Sequence, residues 1–324
     1  MAEPILAVSG LCTEVVSDEK IARIVRDVSF DLYPGEILGV VGESGCGKSM
    51  MGFALLNLLD PPARVASGSV SFAGKDITRL PAEALRTIRG NRIAMIFQDP
   101  MVSLNPVLTI GEQMMEAVLA HQKVSRSVAK ARTIEALEMV GIPKPAERLK
   151  AYPHEFSGGM RQRVVIATAF LNKPDIIIAD EPTTALDVTI QAQILAEVQK
   201  MAAQNGTAVI WISHDMSLLS GLADRVMVMY AGQIVESGST ASIIEQPNHP
   251  YTRALMGAIP VPGREKLEIL RGFPPNLLGE FTGCAFAPRC PLARDHCDLE
   301  RPEARGPELT HARCHYPLQE GAHS

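Results

Sequence analysis

Residues able to do chemistry fall into three groups. Gly42, four intervening residues and Gly47-Lys48-Ser49 make the pattern GESGCGKS; Asp180-Glu181 ends an apolar run; and Cys284, Cys290, Cys297 and Cys314 place four thiols within the last 41 residues. Glycines let the first stretch curl so that several N–H groups point inward, and a helix starting behind it adds its positive end, forming a nest for polyphosphate. In such a nest Gly42, Glu43, Ser44, Gly45, Cys46 and Gly47 supply the loop and Lys48 reaches the outer phosphates. Ser49 offers its hydroxyl to Mg²⁺, a hard ion that takes oxygen ligands.

Such a loop must lie between a strand and a helix. The apolar residues 37–41 before it and 51–59 after it meet that demand. Upstream, residues 5–8 and 28–32 read as strands, with Tyr33-Pro34-Gly35-Glu36 as a turn, so an antiparallel start leads into the loop. Residues 68–72 and 92–97 are further strands around a helical stretch at 81–89, and the second ends in Gln98. From about 110 to 171 the pattern turns helical, with Met114, Val118 and Leu119, and then Ile134, Leu137 and Val140, at helical spacing. Residues 176–179, 208–212 and 226–229 are near-continuous apolar runs, as expected of parallel strands buried on both faces. The first exits at Asp180-Glu181 and the second at His214, where open α/β sheets place their ligands.

Composition sets the bounds. The chain has 324 residues, 46% of them hydrophobic, and a formal charge of −5. That is enough for one large domain and a smaller addition, without the basic surface of a nucleic-acid binder. No apolar run has membrane-spanning length, and MAEPILAVSG lacks the basic start and long apolar stretch of a signal peptide, so a cytoplasmic protein is expected. In a reducing compartment clustered cysteines point to metal or redox chemistry. Beyond Pro247 the texture changes. Eight prolines among residues 261–324 argue against a regular sheet or bundle there.

Taken in order, GESGCGKS, Gln98, Ser157-Gly158-Gly159 with MRQR behind it, IIIADEP, Ala185-Leu186-Asp187 and His214 resemble the nucleotide-binding domain of ABC transporters over roughly residues 5–260. The resemblance implies an α/β fold of the ABC-type P-loop NTPase class, with a RecA-like core, an antiparallel β subdomain and a helical subdomain at about 110–171. This domain would fill residues 1–260, and a small irregular Cys-rich extension would follow over 261–324. It further implies that ATP and Mg²⁺ bind, with Ser49, Asp180 and Gln98 serving the metal. Glu181 would polarise the attacking water, helped by Gln98, and His214 would contact the γ-phosphate. Ser157 and Gly159 would bind the γ-phosphate held by a second subunit, and Gly158 and Asp187 join them among the nucleotide-binding residues. One departure is visible: residues 8–29 contain no Phe, Tyr or Trp to stack on adenine, leaving Ile24 or Arg23 to cover the base.

The segment from Asn248 (NHPYTRAL) and the later GCAFAPRC resemble the C-terminal extension of ATPases that serve oligopeptide and dipeptide importers. The resemblance implies a second ATPase subunit, either another copy or a homologous partner, with the heterodimer favoured, together with two membrane permeases and an extracytoplasmic peptide-binding protein. Nucleic acid is not expected, and the chain would sit peripherally on the cytoplasmic face of the membrane. The four tail cysteines suit a [4Fe–4S] cluster or a Zn²⁺ site, and the importer resemblance favours the cluster. His296, His311 and His315 are substitute ligands, and Cys12 and Cys46 read as structural. Two alternatives share most of these motifs: a soluble ABC ATPase acting on nucleic acid or ribosomes, and an importer ATPase for nickel or another small solute.

Overall fold

The computed structural model describes residues 3–17, 20–184, 186–259, 270, 272–277, 279, 281–306 and 309–318. Its strands are β1 (Leu6–Val16), β2 (Ile21–Leu32), β3 (Ile37–Val41), β4 (Ala63–Phe72), β5 (Lys75–Asp76) and β6 (Ile93–Ile96). They continue with β7 (Ile176–Asp180), β8 (Ala208–Ser213), β9 (Arg225–Tyr230), β10 (Gln233–Ser239), β11 (Ala304–Arg305) and β12 (His311–Arg313). The chain forms two compact units, one from residues 1–32, 37–78 and 212–324, the other from residues 33–36 and 79–211.

In the first unit β2-β1-β4-β5 form an antiparallel sheet. β1 and β2 run well beyond the residues 5–8 and 28–32 that alternation reveals. The register slips between Val8 and Leu11, where Gly10 (φ 57°) and Asp27 (φ 52°) take left-handed conformations and break the two-residue period. Cys12 has a structural task at this bulge, its sulfur accepting the Asp27 amide at 3.2 Å.

The same unit holds the strand order β11-β12-β10-β9-β3, with β3 parallel to β9 and the rest antiparallel. β3 and β9 are buried along their whole length, as their apolar runs require. β9 and β10 are joined by Ala231 (φ 48°) and Gly232 (φ 82°), the two positive angles of a tight hairpin turn. The prolines of the tail argue against a regular sheet, yet β12 pairs Ala312 with Glu236 and His311 with Ser237 on β10. The pairing is possible because Pro302 and Pro317 fall outside the paired residues, where a missing N–H costs nothing.

The second unit carries the order β8-β7-β6, with β6 and β7 parallel, and β7 is wholly buried. Its helical stretch resolves into Ile110–Leu119, Arg126–Met139, Pro145–Arg148 and Gly158–Phe170. Thr109 and Glu112 close a capping box on the first, and Ser125 caps the second. Met114, Val118, Leu137 and Val140 are fully buried, so this apolar stripe is core.

Candidate nucleotide site and cysteine pocket

The loop after β3 folds as its glycines dictate. A Cβ on Gly42 would stand 2.1 Å from the Met229 carbonyl oxygen, so only glycine fits there. Gly47 takes φ 105° to cap the helix Lys48–Leu55, an angle that L side chains rarely adopt. Lys48 is buried, its Nζ donating to the carbonyl oxygens of Gly42 at 2.8 Å and Glu43 at 3.1 Å. The Cys46 thiol packs inside this curl and burial pushes its pKa up, which keeps it a neutral filler, in line with a structural reading. His214, in the same unit, follows directly on β8 and is exposed.

Gln98, Asp180, Glu181, Asp187 and Ser157-Gly158-Gly159 belong to the second unit. Asp180 ends β7 at 2% exposure. Glu181 follows with φ 45°, an unusual angle for a carboxylate residue at a strand exit. Gln98 Nε2 donates to Glu181 Oε2 at 3.4 Å, and Thr184 Oγ1 donates to the same oxygen at 2.9 Å. The sequence reading did not single out Thr184. Gln98 and Asp180 carry oxygen atoms of the hard kind that Mg²⁺ prefers.

Ser157 caps the helix Gly158–Phe170 and accepts the Met160 amide at 3.3 Å; Ser157 and Gly158 are exposed, so the positive helix end faces outward. Asp187 caps the helix Val188–Asn205 through the Ile190 amide at 3.0 Å. A capping task is therefore what the structure shows for Asp187. Ala185 lies outside the described residues. Ile24, considered for the base, brings its carbonyl oxygen against the loop, 2.9 Å from where a Cβ on Gly47 would be.

Residues of the two C-terminal motifs, NHPYTRAL and GCAFAPRC, reach the phosphate loop, a contact that the motifs themselves do not reveal. Tyr251 Oη accepts the Glu43 amide at 2.9 Å. Arg289 grips both carboxylate oxygens of Glu43, at 2.6 and 2.9 Å, and donates to Tyr230 Oη at 3.2 Å. Phe286, 1% exposed, packs edge-on against Tyr230 and Tyr251 with ring centres 5.3 and 5.4 Å away. Tyr251 and Arg289 both stood inside quoted motifs, but nothing in the spacing of Arg289 ties it to a residue 246 positions away.

Cys284, Cys290, Cys297 and Cys314 line one small pocket of about 20 Å³ together with His249 and His315. All four are free thiols. Burial pushes the Cys284 and Cys290 thiols up and takes Cys314 to about 11, each also feeling other cysteines of the group. Among the described residues no three His, Cys, Asp or Glu side chains converge closely enough to hold a single metal ion. Of the substitute histidines only His315 lines the pocket. His249 was not foreseen. Its Nδ1 accepts the Tyr251 amide at 3.0 Å.

The chain matches the family model described as ABC transporter over residues 25–184, and the one described as oligopeptide/dipeptide transporter, C-terminal region, over residues 235–297. It is 49% identical to a dipeptide transport ATP-binding protein, DppD, of Bacillus subtilis, across 93% of this chain and 90% of that one. It is 45% identical to an oligopeptide transport ATP-binding protein, OppD, of Salmonella typhimurium, across 98% and 96% of the two chains. Among solved structures, the ADP- and phosphate-bound dimer of the ATP-binding cassette MJ0796 superposes with a TM-score of 0.66 at 26% identity, covering 72% of this chain and 98% of that one. CbiO1 of Clostridium perfringens shares the fold at a TM-score of 0.64 and 24% identity, over 75% of this chain and 92% of that one.

Proposed function

The chain belongs to the ABC transporter ATP-binding proteins, in the group that serves dipeptide and oligopeptide transport, and from that premise we propose that it binds and hydrolyses ATP to energise peptide import. The observation that carries the reading is the conjunction in one chain of the phosphate loop, the Ser157-Gly158-Gly159 signature and the extension matched over residues 235–297. The last of these sets it apart from ATPases acting on nucleic acid or ribosomes. The relatives named above are dipeptide and oligopeptide transport proteins.

In phosphoryl transfer a protein mainly positions groups and neutralises spreading charge. The loop amides and Lys48 hold the phosphates. Mg²⁺, when bound, offsets charge on the phosphate oxygens, and Ser49, Asp180 and Gln98 are the residues that would hold it. Glu181 orients a water molecule whose oxygen bonds to the γ-phosphorus as the bond to the β,γ-bridging oxygen breaks, and it accepts a hydrogen bond from that water. Gln98 and Thr184 fix the Glu181 carboxylate, and His214 contacts the γ-phosphate. The outward-facing helix end at Ser157 and Gly159 binds the γ-phosphate held by another subunit, so two such domains share each nucleotide. Asp187 shapes that interface through the helix it caps.

The partners on this reading are a homologous second ATPase, two permeases and an extracytoplasmic peptide-binding protein, with the chain peripheral on the cytoplasmic face. No helix among the described residues is long and apolar enough to cross a membrane. In the extension we assign a [4Fe–4S] cluster to Cys284, Cys290, Cys297 and Cys314. What supports it is that all four thiols line one pocket, and four thiolates are the ligand number such a cluster takes. Affinity purification from detergent-solubilised membranes tests the transport reading. Two permeases and a second ATPase should co-purify; ribosomes or nucleic acid without membrane proteins would overturn it.

A further inference from the structure

The phosphate loop contains one acid and one base, Glu43 and Lys48, whose charges cancel. A loop that must hold a polyanion is poorly served by that balance. Arg289 corrects it, reaching Glu43 with two parallel N–H···O contacts at 2.6 and 2.9 Å, a fork geometry that fixes the position of the carboxylate as well as its charge. The Arg289 side chain is only 5% exposed, so water cannot easily replace the contact. The hydrogen bonds it donates to Glu43 hold the guanidinium charge even more firmly than usual.

Glu43 is also where the loop is pinned from two other sides. Its amide donates to Tyr251 Oη, and its carbonyl oxygen accepts from Lys48 Nζ. A displacement of Glu43 therefore moves the loop backbone and the lysine together. Arg289 itself is held by Phe286, which is wedged against Tyr230 and Tyr251, and by the turns that run from Cys284 to Cys290.

We propose that Arg289 is a positioning residue for ATP: acting through Glu43, it sets the shape and net charge of the phosphate loop, so that the C-terminal extension is part of the nucleotide site. This rests on reading residues 42–49 as the ATP site, which binding of ATP by the unaltered chain tests separately.

The experiment is steady-state ATP hydrolysis by the transporter complex carrying Arg289→Ala, Glu43→Ala or both, alongside binding of a fluorescent ATP analogue. Arg289→Ala raises KM for ATP about tenfold while kcat stays within about twofold, because a ground-state contact is lost and the reacting atoms are untouched. The double variant is no worse than Arg289→Ala alone, since both changes break one coupled contact. Should Arg289→Ala not give folded protein, Arg289→Lys keeps the charge and loses the fork, and a KM raised severalfold supports the same conclusion. An unchanged KM in a folded variant, or effects that add in the double variant, would reduce Arg289 to a docking contact and overturn the proposal. If the unaltered chain binds no ATP, the reading of the loop fails instead.

Discussion

Thr184 Oγ1 and Gln98 Nε2 both donate to one oxygen of Glu181, at 2.9 and 3.4 Å. The shorter contact comes from a residue three positions along the chain, so it sets the carboxylate's direction locally, and the longer one comes from a residue two positions beyond the end of β6. Replacing Thr184 by Val removes a donor without changing shape. We expect kcat for ATP to fall about tenfold with KM nearly constant, as a misaligned water costs rate rather than affinity. Equal kinetics in Thr184→Val and the unaltered chain would show that Thr184 plays no part in aiming Glu181.

Glycine substitutions in the phosphate loop should separate two physical causes. Gly42→Ala puts a Cβ 2.1 Å from the Met229 carbonyl oxygen, a backbone clash that the sheet can relieve only by opening. Gly45→Ala meets nothing within 4 Å but must hold φ 79°. Urea unfolding should show a loss of roughly 1 kcal/mol for Gly45→Ala, the ordinary cost of a left-handed alanine, and a several-fold larger loss or no soluble protein for Gly42→Ala. Similar losses at both positions would contradict the packing described for β9.

Acid should loosen the extension through His249. Burial holds its pKa down to about 4, against an ordinary value of 6.5, with the Arg313 main chain opposing. A folded pKa below the unfolded one means that the unfolded chain binds more protons between these values. The stability is thus present above pH 6.5 and is lost as pH falls toward about 4, by roughly 3 kcal/mol at most. Glu236, pushed up by burial, works in the opposite sense: its contribution is present below its unfolded value of 4.5 and is lost as pH rises through its folded pKa. Comparing melting temperature against pH with His249→Asn isolates the histidine. The variant should lose most of the dependence between pH 6.5 and 4.

The cysteine pocket makes a prediction of its own. Protein purified without oxygen should carry iron and inorganic sulfide and absorb in the visible, and Cys297→Ser, which alters the most buried of the four thiols, should bleach it and lower the melting temperature. A colourless preparation that contains zinc would replace the cluster by a single ion, and one without metal would leave four thiols.

What could be read from the chain depended on whether the cause was local. The loop at Gly42 to Ser49, the buried runs of β3, β7, β8 and β9, and the strand exits at Asp180, Glu181 and His214 all announce themselves within a few residues. The full length of β1 and β2 did not, because the bulge at Gly10 and Asp27 shifts the alternation halfway along. β12 was hidden because three residues carry too little pattern and owe their pairing to β10. The hold of Arg289 on Glu43 and of Tyr251 on the loop joins residues more than 200 positions apart, a relationship that only the folded chain contains. The same holds for His249, whose motif was visible while its place beside the four cysteines was not.

The central claim is that hydrolysis at this chain's nucleotide site drives peptide uptake. The direct test is ATP-dependent uptake of a labelled dipeptide into vesicles bearing the whole transporter, measured together with ATP hydrolysis, for the unaltered chain and for Glu181→Gln. The account predicts that uptake and hydrolysis fall together by at least about a hundredfold, the scale of losing a water-orienting base, while ATP binding persists. Uptake that continues at the unaltered rate in Glu181→Gln would contradict it.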